Sequence, residues 1–90
     1  MKGSELLSVA HATEVILMLG ESDRKISDFL KITSNFYTVE RLMDMLEENG
    51  IVKPVEMERT RGKWYALTPT GRIVAEHLKR ACETVDGMKR

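Results

Sequence analysis

The sequence has few of the features that mark secreted, membrane-spanning or disulfide-stabilised proteins. Its 90 residues include one cysteine, two prolines and one tryptophan. The lone Cys82 cannot close an internal disulfide, which favours a reducing compartment. The longest unbroken apolar run, residues 15–19, is too short to cross a bilayer, and the first residues lack the pattern of a secretory signal. We therefore expect a soluble cytoplasmic protein with no membrane partner.

The chain also lacks an excess of charge of either sign. Its 14 basic residues balance its 14 acidic residues, so the formal net charge is zero. Strong sequence-independent binding to phosphates needs a surplus of lysine and arginine, so this balance excludes a polybasic coating protein. Any contact with nucleic acid must come from local clusters of charge. The length predicts a single domain, 1–90, around one small core.

Residue patterns typical of enzymes and metal sites are missing as well. His11 and His77 are far apart in the sequence, and Cys82 has no second cysteine at a metal-binding spacing. We find no glycine-rich phosphate loop and no nucleophile elbow. We therefore expect no catalytic residue, no metal and no cofactor. A redox role for Cys82 stays open, although a buried thiol is commoner on an apolar helix.

The N-terminal segment predicts one helix with apolar residues on two sides. Residues 4–19 contain no proline or glycine, and Gly20 is a typical helix terminator. A helix that is apolar on two sides is buried on two sides, against its own domain and against another element or chain. One row consists of Val9, Ala12, Ile16 and Leu19, and the other of Leu6, Ala10, Thr13 and Leu17.

Residues 27–49 predict two helices joined by a short turn. The first spans residues 28–32 with Ser27 as its candidate N-cap, after an extended piece at 24–26. The second is opened by Asn35 and runs to residue 48, where an Asn-Gly pair ends it. Its apolar residues recur at helical spacing, as Val39, Leu42, Met43 and Leu46. A short helix, a turn and an amphipathic helix indicate a helix-turn-helix.

After residue 50 the apolar period changes from helical to alternating. Apolar residues that alternate with charged ones predict a strand, and Pro54 restricts this strand to a sheet edge or to its start. A glycine-containing turn and a second β-forming stretch complete a hairpin over 53–67. Thr68 and Pro69 then supply an N-cap and a first-turn proline for a last helix over 69–84.

This order and three of its stretches resemble the winged-helix transcriptional regulators of prokaryotes, in the broad MarR-like and PadR-like grouping. Residues 39–52 resemble the recognition helix with its Leu-Glu-x-x-Gly-hydrophobic-Val exit. Residues 59–65 resemble a basic wing with an aromatic return strand, and 67–72 resemble the Leu-Thr-x-x-Gly-Arg/Lys start of the next helix. The expected fold is therefore α+β, mainly α, a winged helix-turn-helix of order α-β-α-α-β-β-α with terminal helices available for dimerisation.

The resemblance implies that the exposed start of the recognition helix enters the major groove of DNA. Arg41 suits a bidentate contact with guanine, Asn35 suits a helix cap or an adenine contact, and Thr38 suits a base or a phosphate. We expect Phe36 to pack on the core and Tyr37 to point outward, to a phosphate or a thymine methyl group. The predicted DNA contacts are Asn35, Tyr37, Thr38, Arg41, Arg59, Arg61 and Lys63.

The basic residues of the wing support the predicted DNA contacts, whereas the acidic residues of the recognition helix oppose them. Residues 59–63 hold three basic side chains and no acid, which suits phosphates or the minor groove, although a charged turn can also simply protect a sheet edge. Arg24 and Lys25 are candidates for a flanking phosphate contact. The recognition helix carries four acids, of which Glu40 either accepts from a cytosine or pairs with a basic neighbour.

The last helix carries apolar residues at the spacing of a coiled-coil seam. Together with the second apolar row of the first helix, this stripe predicts a two-fold homodimer, although it could also close the domain's own core. The predicted interface consists of Leu6, Ala10, Leu17, Val74, Leu78, Ala81 and Val85.

The sequence therefore favours a sequence-specific DNA-binding transcriptional regulator that acts as a homodimer, and not an enzyme. The alternative is a winged-helix protein-interaction module within a transcription or other assembly, without direct DNA binding. The neutral net charge and the acid-bearing recognition helix favour the alternative, and the basic wing favours DNA. No sequence feature indicates a small-molecule effector.

Overall fold

The computed structural model describes residues 1–57 and 62–88. The helices and strands follow the predicted order, with one additional short helix at the N-terminus. The elements are α1 (Gly3–Ser8), α2 (Ala12–Glu21), β1 (Arg24–Lys25), a 3-10 helix (Ile26–Lys31), α3 (Phe36–Glu48), β2 (Val52–Val55), β3 (Trp64–Leu67) and α4 (Pro69–Met88).

The predicted single N-terminal helix is wrong, because the chain turns between α1 and α2. His11 adopts the left-handed backbone conformation, with a φ of 69°. The turn changes the direction of α1, so that Leu6 is buried in the same core as Ala12 and Ile16. The helix also does not stop at Gly20. A Cβ atom there would lie 3.5 Å from the Cβ of Ala75, so this glycine lies at a close approach of α2 to α4.

The short helix before the turn is a 3-10 helix and not the predicted α-helix at 28–32. It begins at Ile26, so Ser27 lies inside it and is not its N-cap. The N–H of Ile26 donates to the carbonyl of Lys63 over 2.8 Å, which attaches the start of this helix to the sheet. Ile26 and Phe29 are both buried, and a separation of three residues matches the three residues per turn of a 3-10 helix.

The prediction for α3 is confirmed. Asn35 is its N-cap, since the Asn35 side-chain oxygen accepts from the N–H of Thr38 over 3.2 Å. Gly50 has a φ of 74°, the left-handed conformation expected just after the helix. The four predicted core residues of this helix, Val39, Leu42, Met43 and Leu46, are all buried.

Three short antiparallel strands form the sheet, in the order β1-β3-β2. Tyr65 in the central strand lies opposite Arg24 on one side and Pro54 on the other. Pro54 therefore lies in an edge strand, as predicted. The strand β2 begins at Val52 and ends at Val55, so Glu56 and Met57 of the alternating stretch are not part of the sheet.

The start of α4 is attached to the exit of α3 through Thr68 and Gly71. The hydroxyl of Thr68 accepts from the N–H of Gly71 over 3.0 Å, which confirms Thr68 as the N-cap, and it donates to the carbonyl of Gly50. The helix α4 continues to Met88, four residues beyond its predicted end. Its inner face packs on α2, where Ala75 is buried and Val74 and Leu78 are half-buried against the core.

Candidate nucleic-acid interface

The first turns of α3 present three of the predicted contact residues to solvent. Tyr37, Thr38 and Arg41 are exposed, and 67% of the surface of Tyr37 is accessible. The helical period separates them from the buried face, which packs on the 3-10 helix and on β2. The amphipathic sequence of α3 thus directs a tyrosine, a threonine and an arginine outward together.

Asn35 serves as a cap, one of the two roles that its sequence position allowed. Its side-chain oxygen accepts from Thr38, and its own N–H donates to the hydroxyl of Thr33 over 3.4 Å. A bidentate contact with adenine needs the amide oxygen as well as the amide nitrogen. In this arrangement, the cap uses one of the two acceptor positions of the amide oxygen, and the amide nitrogen is left for a base or a phosphate.

Tyr37 and Arg41 form a cation–π pair one helical turn apart. The guanidinium carbon of Arg41 lies 5.7 Å from the centroid of the Tyr37 ring, within the range of an attractive contact. Within residues 1–57 and 62–88, Arg41 forms no ion pair with a carboxylate. Its N–H groups are therefore not occupied by an acid.

These residues border a shallow groove of about 480 Å³ between α3 and the turn after α1. The groove lies beside Ala10, which the sequence assigned to the dimer interface, and not beside α4. Its lining residues are Met1, Val9, Ala10, Tyr37, Thr38, Arg41, Leu42 and Met45. Sequence reasoning missed Val9 and Met45 here, because the α1–α2 turn that brings them together leaves no periodic signal.

Phe36 does not pack into the core as predicted, since 44% of its surface is exposed. It is the first residue of α3 and precedes the first buried position, Val39. Met43, seven residues later on α3, is fully buried, as is Phe29 of the 3-10 helix. The first two residues of α3, Phe36 and Tyr37, are therefore both exposed aromatic residues.

Acidic residues occupy much of the remaining surface of α3. Asp44, Glu47 and Glu48 are exposed and Glu40 is half-exposed, and within the described part of the chain none of them forms an ion pair. Burial raises the pKa of the Tyr65 phenol above its ordinary value of 10.0, and the nearby carboxylates of Glu47, Asp44 and Glu40 raise it further. The electrostatic effect of these α3 carboxylates thus extends to a residue of the sheet.

The basic residues around the sheet differ in their availability. Lys63 and Lys25 are exposed at the start of β3 and in β1. Arg24, a candidate phosphate contact, is instead half-buried against α2, with its Nε 3.5 Å from the carbonyl of Met18 and its guanidinium 3.7 Å from Glu21. The predicted wing contacts Arg59 and Arg61 lie outside the described residues.

The predicted dimer residues fall into separate environments. Leu6 is only 5% exposed within the protomer, and Val74 and Leu78 are half-buried against the protomer's own core. Ala81 and Val85 are exposed. Ile73 and Met88, which lie outside the seam-like stripe, are 62% and 81% exposed on α4.

Leu17 lies in a second groove, of about 630 Å³, between α2 and α4. Its other lining residues are Gly20, Glu21, Leu67, Arg72, Ala75, Glu76, Lys79, Cys82 and Glu83. Cys82 is half-buried there, so its thiol is less accessible than those of surface cysteines. Groups of three or more potential metal ligands are absent from residues 1–57 and 62–88.

His11 Nδ1 lies 3.2 Å from a carboxylate oxygen of Glu14, an exposed contact one turn along α2. Among the described helices, none has the length and apolar character needed to span a membrane.

Comparison with known proteins finds similarity in structure alone. No protein-family model matches the sequence, and no curated protein matches it. The adhesin competence repressor AdcR of Streptococcus pyogenes superposes with a TM-score of 0.75 at 12% identity, over 83% of this chain and 57% of that one. ZitR of Lactococcus lactis superposes with a TM-score of 0.77 at 18% identity, over 93% of this chain and 64% of that one.

This chain thus spans less than two thirds of either protein. A similar structure of comparable length is that of a transcriptional regulator homologue from Pyrococcus horikoshii. It superposes with a TM-score of 0.63 at 19% identity, over 97% of this chain and 96% of that one. The chain therefore has the winged helix-turn-helix fold of these prokaryotic transcriptional regulators.

Proposed function

We propose that this chain is a sequence-specific DNA-binding transcriptional regulator of the prokaryotic cytoplasm. The observation that carries the proposal is the exposed cluster of Tyr37, Thr38 and Arg41 at the start of the second helix of a helix-turn-helix. Guanidinium and hydroxyl groups are common partners of base edges and phosphates. In the proposed complex, these residues enter the major groove, and the basic residues of 59–63 contact the adjacent backbone or the minor groove.

The proposed regulator acts as a homodimer that associates through α4. The last turns of this helix extend past its contacts with the core, and residues 83–88 are all exposed. Val85 and Met88 are 54% and 81% exposed there, and Ala81 is exposed one turn earlier. Because short helical segments without tertiary packing are marginally stable in water, a second copy of α4 would stabilise this end. A dimer would also bring two recognition helices to successive turns of DNA, which compensates for the zero net charge.

DNA binding is tested by a salt titration with a mixed-sequence duplex of about 30 base pairs, long enough for two half-sites. We expect micromolar or tighter binding at low salt that weakens steeply as salt is added, since phosphate contacts release counterions. Arg61→Ala is expected to lower the slope of log K against log salt by about 1 per protomer.

The matched control is Lys79→Ala, which removes the same charge from an exposed position on α4. This variant is expected to keep the wild-type slope, because a charge far from the phosphates releases few counterions. A slope that falls equally in both variants would contradict a specific role of the wing. Absence of binding to any duplex at low salt would contradict the proposed function.

The dimer is tested by sedimentation equilibrium. The wild type is expected to have about twice the chain mass of 10.3 kDa. Val85→Asp is expected to shift the equilibrium to the monomer, because it places a charge in an apolar contact. Glu83→Gln also changes the charge by one unit, at an exposed position on the opposite side of the helix from Val85, and is expected to leave the dimer intact. A monomeric wild type would rule out the homodimer.

A second candidate function is a protein-interaction module within a transcription or other assembly. The acidic surface of Glu40, Asp44, Glu47 and Glu48 favours it, because like charges on a recognition helix oppose the approach of DNA. The same salt titration separates the two functions: a module of this kind leaves the duplex unbound at every salt concentration.

A further inference from the structure

We infer that Tyr37 is a positioning residue for Arg41 and holds its guanidinium outward to bind a guanine in the major groove. This inference rests on the proposed function and adds to it the base that is recognised and the residue that prepares the contact. The two side chains lie one turn apart on α3, with the guanidinium carbon 5.7 Å from the centre of the ring. Both side chains are exposed, so neither is held in place by the core.

The sequence of α3 places carboxylates on both sides of Arg41. Asp44 follows three residues later, at a spacing at which arginine and aspartate commonly pair on a helix. Arg41 nevertheless forms no ion pair with an acid of the described chain. Its guanidinium instead lies over the ring of Tyr37, on the side of the helix N-terminus, where residues of a recognition helix meet base edges.

The two partners differ in what they leave free on the guanidinium. A ring contacts the flat face of the group and leaves its N–H edges available. A carboxylate uses those same N–H donors, often two at once. Guanine is recognised in the major groove by two N–H groups that donate to its O6 and N7 atoms. Contact with Tyr37 therefore keeps Arg41 competent to bind guanine, whereas a pair with Asp44 would occupy the donors that guanine requires.

The first step of the test finds the guanine. Wild-type protein and Arg41→Ala are each used to select duplexes from a random pool, and a guanine that only the wild type selects marks the base that Arg41 contacts. Two duplexes are then made that carry guanine or 7-deazaguanine at this position. The readout is the ratio of the dissociation constants for these two duplexes. A direct contact of Tyr37 with phosphate or thymine affects both constants equally and therefore does not change the ratio.

For the wild type, we expect 7-deazaguanine to weaken binding about tenfold, the scale of losing part of a bidentate contact. Tyr37→Phe keeps the ring and is expected to keep this ratio. Tyr37→Leu is expected to lower it to about threefold or less, because Arg41 is then released toward Asp44. Adding Asp44→Asn to Tyr37→Leu is expected to restore much of this ratio. Asp44→Asn alone, with Tyr37 in place, is expected to leave the ratio at its wild-type value.

Each other outcome decides against the inference. If Tyr37→Leu keeps the wild-type ratio of dissociation constants, or if Tyr37→Phe loses it, the positioning role is overturned. The proposed function is left in place by either result. Selection of the same bases by Arg41→Ala would also overturn the positioning role and leave the proposed function in place. If the wild type selects no duplex, the proposed function and this inference fail together. Circular dichroism of each variant checks folding, which these exposed positions are not expected to affect.

Discussion

Replacing Gly71 with alanine is expected to lower the free energy of unfolding by about 3 kcal/mol or more. A Cβ atom at this position would overlap the carbonyl oxygen of Ile51. This oxygen belongs to the backbone and cannot rotate away as the end of a side chain can. It also accepts from the N–H of Thr68 over 3.0 Å, so a shift that relieves the overlap weakens the attachment of α4 to the exit of α3.

Urea unfolding at a fixed protein concentration, followed by circular dichroism, measures this loss. The matched control is Gly87→Ala in the same helix, where an added Cβ has no neighbour within 4 Å. This control is expected to stabilise the protein by up to about 1 kcal/mol, since alanine favours helix more than glycine does. If both alanine variants unfold at the same urea concentration, the close approach at Gly71 does not constrain the fold.

Neutralising the acids of α3 is expected to raise affinity for duplex DNA by about tenfold or more at low salt. The change is Asp44→Asn with Glu47→Gln and Glu48→Gln, all at exposed positions without ion pairs in the described chain. Each carboxylate near a phosphate contributes repulsion of up to about 1 kcal/mol in water. The gain is expected to shrink as salt rises, because ions screen exposed charges. Fluorescence anisotropy of a labelled duplex across a salt series measures both effects.

The triple variant Glu76→Gln, Glu83→Gln and Asp86→Asn provides the control. It removes the same number of acids from exposed positions on α4 and therefore changes the net charge by the same amount. We expect a smaller gain in affinity, because these groups lie on a different helix from the proposed DNA surface and the interaction between exposed charges weakens with distance. Equal gains from the two triple variants would mean that net charge, and not the surface of α3, controls binding.

The sequence predicted α3 best, because one local pattern specifies it. Its cap at Asn35 and its left-handed residue Gly50 are properties of a few neighbouring residues, and both were confirmed. The same holds for Thr68 as the cap of α4. The break between α1 and α2 could not be predicted in this way. Residues 9–11 include no proline or glycine, and the bend follows from the burial of Leu6 beside Ile16 in a shared core.

The candidate site was only partly accessible from the sequence. The resemblance to a recognition helix led us to expect Tyr37 and Arg41 at its outward-facing start, and both residues are exposed in the structure. Spacing alone could not choose between Tyr37 and Asp44 as the neighbour of Arg41, because both lie within one turn of it. Spacing alone also could not show how the residues of the apolar stripe on α4 differ. Val74 and Leu78 pack on the core of the protomer, whereas Val85 is exposed.

By itself, the sequence determined the order of the elements, the fold class, the outward face of α3 and the absence of excess charge. The order of the elements and the charge balance follow from local periodicity and composition, which are independent of distant contacts, and the fold class follows from the resemblance to winged-helix regulators. Only the tertiary structure decided which apolar residues of the terminal helices are already buried, which basic residues are already paired, and why position 71 is glycine. Several of these depend on residues that are remote in sequence and close in space, as Gly71 is to Ile51 and Gly20 is to Ala75.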